Sequence, residues 1–372
     1  MNAKTQPWIF SSRFDIGFIL APAIIITVLV IIFHNNLTSL KEIPAWLWLL
    51  LIVGVDVSHV YSSIFRTYLD RAELEQRQAL YILTPLLCWI IGCLLYSAGS
   101  LIFWRALAYL AVFHFIRQQY GFMMLYSRKE KNIPKFYRLI DKTAIYLATI
   151  YPLIYWHCHA RKFDWFIQGD FITLKLPALS TYAGIIYLVV LIAYALKEIE
   201  LWNKTGTFNI PRNLLLFGTA LSWFVGIVAF DNDLAFTATN VIAHGIPYLA
   251  LIWIYGYNQT ALQGRDKTSY ISPWISKLFN WKTLPLYIAA LFALAFVEEG
   301  FWDGFVWREH QSLFRFFDSL PAIRNEQTLI WLIPLLALPQ MTHYMLDAFI
   351  WRLKPAENRW KQILFYQTAG KV

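Results

Sequence analysis

Residues Ile16–Phe33 read IGFILAPAIIITVLVIIF, a run that contains no charged side chain. At a helical rise of about 1.5 Å per residue, a run of this length matches a hydrocarbon core of about 30 Å. Similar runs recur along the chain, and in lipid each of them must satisfy its backbone hydrogen bonds within a helix. The sequence therefore predicts an all-α, polytopic membrane protein.

The composition of the whole chain agrees with this prediction. Of its 372 residues, 58% are hydrophobic and only 15% are charged, and the mean hydropathy is +0.46. Soluble domains are typically about 45–50% apolar and about 25% charged. These values exclude a disordered chain, a small soluble enzyme and an ordinary nucleic-acid-binding domain. The 3 cysteines form no CxxC pair, so neither a zinc ribbon nor a disulfide scaffold is expected.

Hydropathy predicts about ten transmembrane helices in a single integral membrane domain. The predicted spans are residues 16–33, 44–65, 79–97, 101–126, 140–157, 179–196, 211–230, 234–257, 284–302 and 329–351. If the N-terminus is cytoplasmic, most of the 32 Lys and Arg residues fall in cytoplasmic segments. Because basic loops stay in the cytoplasm, both termini are expected there, as in a bacterial inner membrane. No nucleic-acid partner is expected, and the sequence does not indicate an oligomeric state.

Four histidines lie inside the apolar runs, where polar side chains are costly and require a reason. They are His59, His114, His244 and His343, in the second, fourth, eighth and tenth predicted spans. These spans all run in the same direction across the membrane, so we expect the four imidazoles to face one cavity. Neutral imidazole is the commonest metal ligand, and iron, copper and zinc all accept it. We predict a metal centre holding Fe²⁺, with another transition metal or haem as alternatives.

Each of these histidines has a polar neighbour three or four residues away, on the same helical face. The neighbours are Asp56, Gln118, Asn240 and Asp347, in the order of the histidines. A metal-bound imidazole commonly donates its other N–H to such a group. We expect Gln118, Asn240 and Arg117 to support the ligands, and Asp56, Asp347 and Tyr344 to act in catalysis. Arg117 lies deep in its span and is expected to need a partner such as a carboxylate.

Charged residues at the ends of spans have simpler interpretations. Glu298, Glu299 and Asp303 are expected to form a solvated helix end. Arg66 and Arg352 are expected to reach lipid phosphates, with an acidic substrate or Asp70 as the alternative partner.

The stretch His343-Tyr-Met-Leu-Asp347-Ala-Phe-Ile-Trp-Arg352 resembles the closing motif of the Brp/Blh family of membrane β-carotene dioxygenases. His114 in FHFIRQQYGF resembles the histidine-containing span of that family. The family's early Pro-His-Gly motif is replaced by Ser58-His59-Val60, and the aspartate is shifted by one position. The resemblance implies a non-heme iron held by histidines from several helices.

Together these features favour a membrane-embedded oxidoreductase, a non-heme iron oxygenase acting on a carotenoid-like or lipid-like substrate. Its expected partners are the lipid bilayer and a lipophilic small molecule. One alternative is a haem-binding membrane protein, in which histidines on facing helices supply axial ligands. Another is a proton-coupled transporter that uses the intramembrane His and Asp residues as a relay.

Overall fold

The computed structural model describes residues 6–40, 43–130, 133–263, 271–351 and 359–366, and all regular structure within them is helical. We number the longer segments α1 Ser12–Ile32, α2 Ala45–Phe65, α3 Gln78–Ala98, α4 Ser100–Ser127, α5 Lys135–Cys158, α6 Pro177–Thr205, α7 Ile210–Ala229, α8 Asp233–Gln263, α9 Trp281–Trp307, α10 Glu326–Leu336 and α11 Leu338–Ile350. Short helices cover His34–Ser39, Arg71–Gln76, Pro273–Ser276, Arg315–Phe317 and Arg359–Leu364.

Among the described residues, 8 helices are long and apolar enough to cross a membrane, or 9 if the bent pair α10–α11 is one span. The prediction of an all-α polytopic membrane protein is therefore confirmed. The predicted span 140–157 corresponds to α5, which is not one of the eight. Its first half carries Lys135, Arg138, Asp141 and Lys142, and these charges lower its hydropathy.

The spans differ greatly in how much of their surface the protein covers. In the most apolar stretch of α8, 78% of the residues are buried, against 28% in α3 and 17% in α6. A helix that is apolar all round and exposed is typical of contact with lipid, whereas a covered helix is a core element. α8 is thus the most enclosed of the candidate spans, and it is the one that carries His244.

Contacts within the chain define two compact units, Met1–Glu42 with Val112–Pro247 and Ile43–Ala111 with Tyr248–Val372. In the first unit, a buried ionic network joins α5, α6 and α7. Arg212 pairs with Glu130 at 2.5 Å and with Asp141 at 3.4 Å, and also with Glu198. Lys197 pairs with Asp141 and Glu198. Because a buried charge is tolerated only when it is paired, these contacts fix the packing of the three helices.

In the second unit, Arg66 follows α2 and is fully buried. Its Nη1 lies 2.7 Å from Oε2 of Glu73, and its Nη2 donates to the carbonyl of Ile350 at 3.3 Å. The guanidinium also lies over the ring of Tyr255, 4.8 Å from its centre. The expectation that Arg66 reaches lipid phosphates is therefore wrong: the side chain joins the ends of α2 and α11. Arg352 lies outside the described residues.

Candidate metal centre

An irregular stretch of α2 determines where His59 lies. Residues Leu49–Val57 form a π-helix, and ordinary α-helix resumes at Ser58. The Ser58 hydroxyl donates to the carbonyl of Val53 at 2.7 Å, across the widened turns. An extra residue per turn rotates every later side chain around the helix axis, so the π segment sets the face that His59 occupies. Such segments are rare and are often found at functional sites.

His343 is placed by a break in the last span. α10 and α11 meet at an angle of 44° around Ala337. Pro334 lies in the last turn of α10, and Pro339 lies in the first turn of α11. Proline lacks the N–H that a continuous helix needs, so the chain bends between these two positions.

Within the second unit, the rings of His59 and His343 meet edge to face, with centroids 5.1 Å apart. The ring of Tyr248 packs against both, 5.8 Å from His59 and 5.0 Å from His343. Its hydroxyl donates to Oδ1 of Asp347 at 2.6 Å. Asp347 thus orients Tyr248, and Tyr248 in turn limits the freedom of both imidazoles.

Within the first unit, Nε2 of His114 lies 3.2 Å from Nε2 of His244. The ring of Phe115 stacks on His244 at a centroid distance of 3.5 Å and an angle of 8°. Gln118 donates to the backbone carbonyl of His244 at 2.9 Å, which joins α4 to α8. The two imidazoles are therefore hydrogen-bonded through their Nε2 atoms, and these two nitrogens are also close enough to bind one metal ion.

The four histidines form one group of candidate ligands. One ring nitrogen of each lies within 4.8 Å of the others. All four side chains are buried, with exposures of 0% for His59, 3% for His114 and 1% for His244 and His343. The predicted convergence of the four imidazoles is thus confirmed, and the group has the composition of a metal site.

The predicted supporting residues have varied positions. Gln118 bonds the backbone of His244, not the ring of His114 beside which the sequence placed it. Asn240 donates to the carbonyl of Phe236 at 3.0 Å, on its own helix. Arg117 is exposed and donates to the hydroxyl of Tyr146 at 2.8 Å, so its expected carboxylate partner is replaced by a phenol.

The residues predicted to act in catalysis all lie in the second unit. Oδ1 of Asp56 is 3.7 Å from Nδ1 of His59, with about a third of its side chain exposed. The Tyr344 ring is 5.7 Å from that of His343. Tyr248, which is not among the predicted site residues, contacts two histidine rings. Its position four residues after His244 was the available signal, because such residues share a helical face.

Glu298 and Asp303 do not form the solvated helix end that the sequence suggested. Their exposures are 5% and 4%. Oδ1 of Asp303 accepts the backbone N–H of His310 at 2.7 Å, so this carboxylate closes the turn after α9. Glu298 packs one turn beyond Ala295, which belongs to the buried cluster with Val53 and Val57 of α2. The acidic end of α9 is therefore an interior feature of the second unit.

No protein-family model matches the chain, and neither a curated protein nor a solved structure matches it.

Proposed function

We propose that the chain is a membrane-embedded oxidoreductase, a non-heme iron oxygenase that acts on a lipophilic substrate. The observation that carries this proposal is the buried group of four histidines. Neutral imidazole is the commonest metal ligand in proteins. Four buried histidines whose ring nitrogens lie close together can therefore bind one metal ion.

The spacing of two of the nitrogens is compatible with one metal ion. Metal–nitrogen bonds are about 2.1 Å long, so two nitrogens on one ion lie at most about 4.2 Å apart. The 3.2 Å between Nε2 of His114 and Nε2 of His244 lies within this limit. Imidazole ligands suit iron, as well as copper and zinc.

When bound, the metal would supply the activation of dioxygen, and the residues around it would orient and protect the site. Phe115 fixes the ring plane of His244. Tyr248 presents a phenol held by Asp347 beside His59 and His343, where it can hold or donate a proton. Asp56 stands close enough to Nδ1 of His59 to favour one orientation of that ring. Burial of all four histidines keeps bulk water away from the centre.

The proposal of a lipophilic substrate is supported by a crevice of about 450 Å³ on the second unit, which lies between α3, α4 and α11. Its walls are almost entirely apolar and include Leu83, Leu87, Ile91, Phe103, Leu107, Leu110 and Met341. On α4, Phe103, Leu107 and Leu110 recur every three or four residues, and His114 continues the same stripe. A hydrocarbon chain lying along that face of α4 would point towards the histidine.

Haem is the alternative group that these histidines could hold. Metal analysis and an absorption spectrum of the purified protein test the proposal directly. We expect about one iron per chain and no Soret band. A Soret band would show haem, and absence of any bound metal would favour a proton-coupled transporter.

Asp347→Asn is expected to weaken metal binding by about 10–100-fold while the protein stays folded. The amide keeps the size of the side chain but weakens the hydrogen bond from Tyr248, so the imidazoles of His59 and His343 lose part of their support. Competition with a chelator measures the affinity, and Tyr248→Phe is the matched control because it removes the other half of the same bond. Equal losses in the two variants support this positioning role. A much larger loss in Asp347→Asn would mean that the carboxylate binds the metal itself.

Both termini are proposed to lie in the cytoplasm, on the side of the basic loops. Reporter fusions within residues 128–134, between α4 and α5, should show cytoplasmic activity. Fusions within residues 159–176, between α5 and α6, should show the opposite location, which tests whether α5 crosses the membrane. An extracytoplasmic signal from residues 128–134 would reverse the proposed orientation.

A further inference from the structure

A stripe of cations faces outward on the first unit, along the hairpin of α4 and α5. Arg138 and Lys142 lie one turn apart on α5, and Tyr146 follows after another turn. Arg138 and Lys142 are exposed, and so is Arg117 on α4. Arg117 precedes the end of α4 by ten residues, which is about 15 Å along the helix. The stripe therefore extends from the loop into the predicted membrane-spanning part of the hairpin.

Two cations of this stripe, Arg117 and Lys142, contact aromatic rings. Arg117 donates to the Tyr146 hydroxyl at 2.8 Å, and its guanidinium lies 5.5 Å from the centre of the Tyr120 ring. Nζ of Lys142 lies 5.9 Å from the centre of the same Tyr146 ring. Arg117 and Lys142 thus flank one tyrosine. Among the ion pairs of the described residues, none joins a carboxylate to either cation.

The neighbouring acidic residue is already used elsewhere. Asp141 precedes Lys142 in α5 but is buried, and it pairs with Lys197 and Arg212 in the ionic network. The two faces of α5 therefore differ: the inner face has its charges balanced within the protein, and the outer face presents positive charge alone. A cation exposed at membrane depth is costly, and an anion in its surroundings lowers that cost.

We propose that this stripe binds the phosphate of an anionic phospholipid. Large apolar side chains flank the cations, and Phe113 and Leu139 are 54% and 56% exposed. Phe113 lies one turn beyond Arg117 on α4, away from the loop, where acyl chains would follow the headgroup. Cations beside exposed apolar surface match an amphiphile, whereas a free phosphate ion would gain nothing from Phe113 or Leu139. Clusters of Lys and Arg at the cytoplasmic membrane surface attract anionic lipids in the same way.

The lipid site is independent of the proposed oxygenase activity, because its cations touch none of the four histidines. The two sites nevertheless share helix α4. Gln118, next to Arg117 on this helix, donates to the backbone carbonyl of His244. A bound lipid would hold α4 against α5 at the level where α4 also contacts α8.

The test is lipid binding by the purified full-length protein in a non-ionic detergent, followed by native mass spectrometry. Phosphatidylglycerol is the anionic probe, phosphatidylcholine the zwitterionic one and inorganic phosphate the competitor. We expect phosphatidylglycerol to bind about tenfold or more tightly than phosphatidylcholine, and phosphate not to displace it. The double variant Arg117→Gln/Lys142→Gln should weaken phosphatidylglycerol binding by about 25-fold, or about fivefold per cation.

Two further variants make the result decisive. Arg13→Gln removes an exposed cation at the start of α1 and should leave lipid binding unchanged. Lys142→Gln alone changes only an exposed side chain and should give about fivefold weakening even if the double variant folds poorly. Equal binding of the two lipids, displacement by phosphate, or the same weakening in Arg13→Gln would each overturn the proposal.

Discussion

Replacing His343 by alanine is expected to abolish metal binding at the proposed centre, with a loss of affinity greater than about 100-fold. The reason is that His343 supplies one of only four buried ring nitrogens in the group. Replacing a residue that only orients a metal ligand typically lowers metal affinity by about 10–100-fold. A larger loss therefore indicates that His343 binds the metal itself. The measurement is metal content and chelator competition on the purified variant.

The matched control is His159→Ala, because that histidine lies at the end of α5 and its Nδ1 contacts the carbonyl of Tyr155 at 3.0 Å. It should retain full metal content. His343→Gln gives a second test that fills most of the vacated volume, so that a cavity is not the cause of any loss. If both His343 variants keep their metal, His343 is a packing residue, and the proposed centre has at most three histidine ligands.

Much of this arrangement could be predicted from the sequence, because the membrane makes polar residues conspicuous. A histidine within an apolar run is costly unless something binds it, and this cost singled out the four residues that the structure brings together. The all-α architecture could be predicted from the same apolar runs, because a helix satisfies all the backbone hydrogen bonds of a span within that span. Helical periodicity also places Tyr248 on the face of His244, but it gives no sign that the Tyr248 ring contacts His59 and His343.

The partners of the polar residues could not be predicted, because they come from distant parts of the chain. Periodicity places Gln118 beside His114, but nothing local indicates that its amide bonds a carbonyl of α8. Asn240 differs from Gln118, because its side chain bonds the backbone of its own helix and supports no histidine ring from there. Short polar side chains in helices often form such local bonds. Glu298 looks solvated in the sequence since acidic residues cluster near it, yet the packing of α9 on α2 buries it.

Arg66→Met is expected to destabilise the protein by about 3–5 kcal/mol, the usual result of removing one partner of a buried ion pair. Glu73 would keep its contacts with Arg77 at 3.3 Å and the Tyr81 hydroxyl at 2.9 Å. Glu73 would lose the positive charge of Arg66, whose Nη1 lies 2.7 Å from its Oε2 in a buried site. We expect the midpoint of thermal unfolding in detergent to fall by roughly 6–20 °C, given a shift of about 2–4 °C per kcal/mol for a large domain.

Arg71→Met is the control, since Arg71 and Glu75 form a pair of the same length, 2.7 Å, with 78% and 60% of their side chains exposed. Exposed pairs contribute about 0–1 kcal/mol, so the unfolding midpoint should barely move. Adding Glu73→Gln to Arg66→Met should restore part of the stability, because the buried carboxylate that lost one of its two cations is then gone. Arg66 also bonds the last turn of α11, which carries His343, so Arg66→Met should lower metal affinity as well. A variant that loses stability but binds metal normally would show that the Arg66 contact supports the fold of the second unit without positioning the histidines.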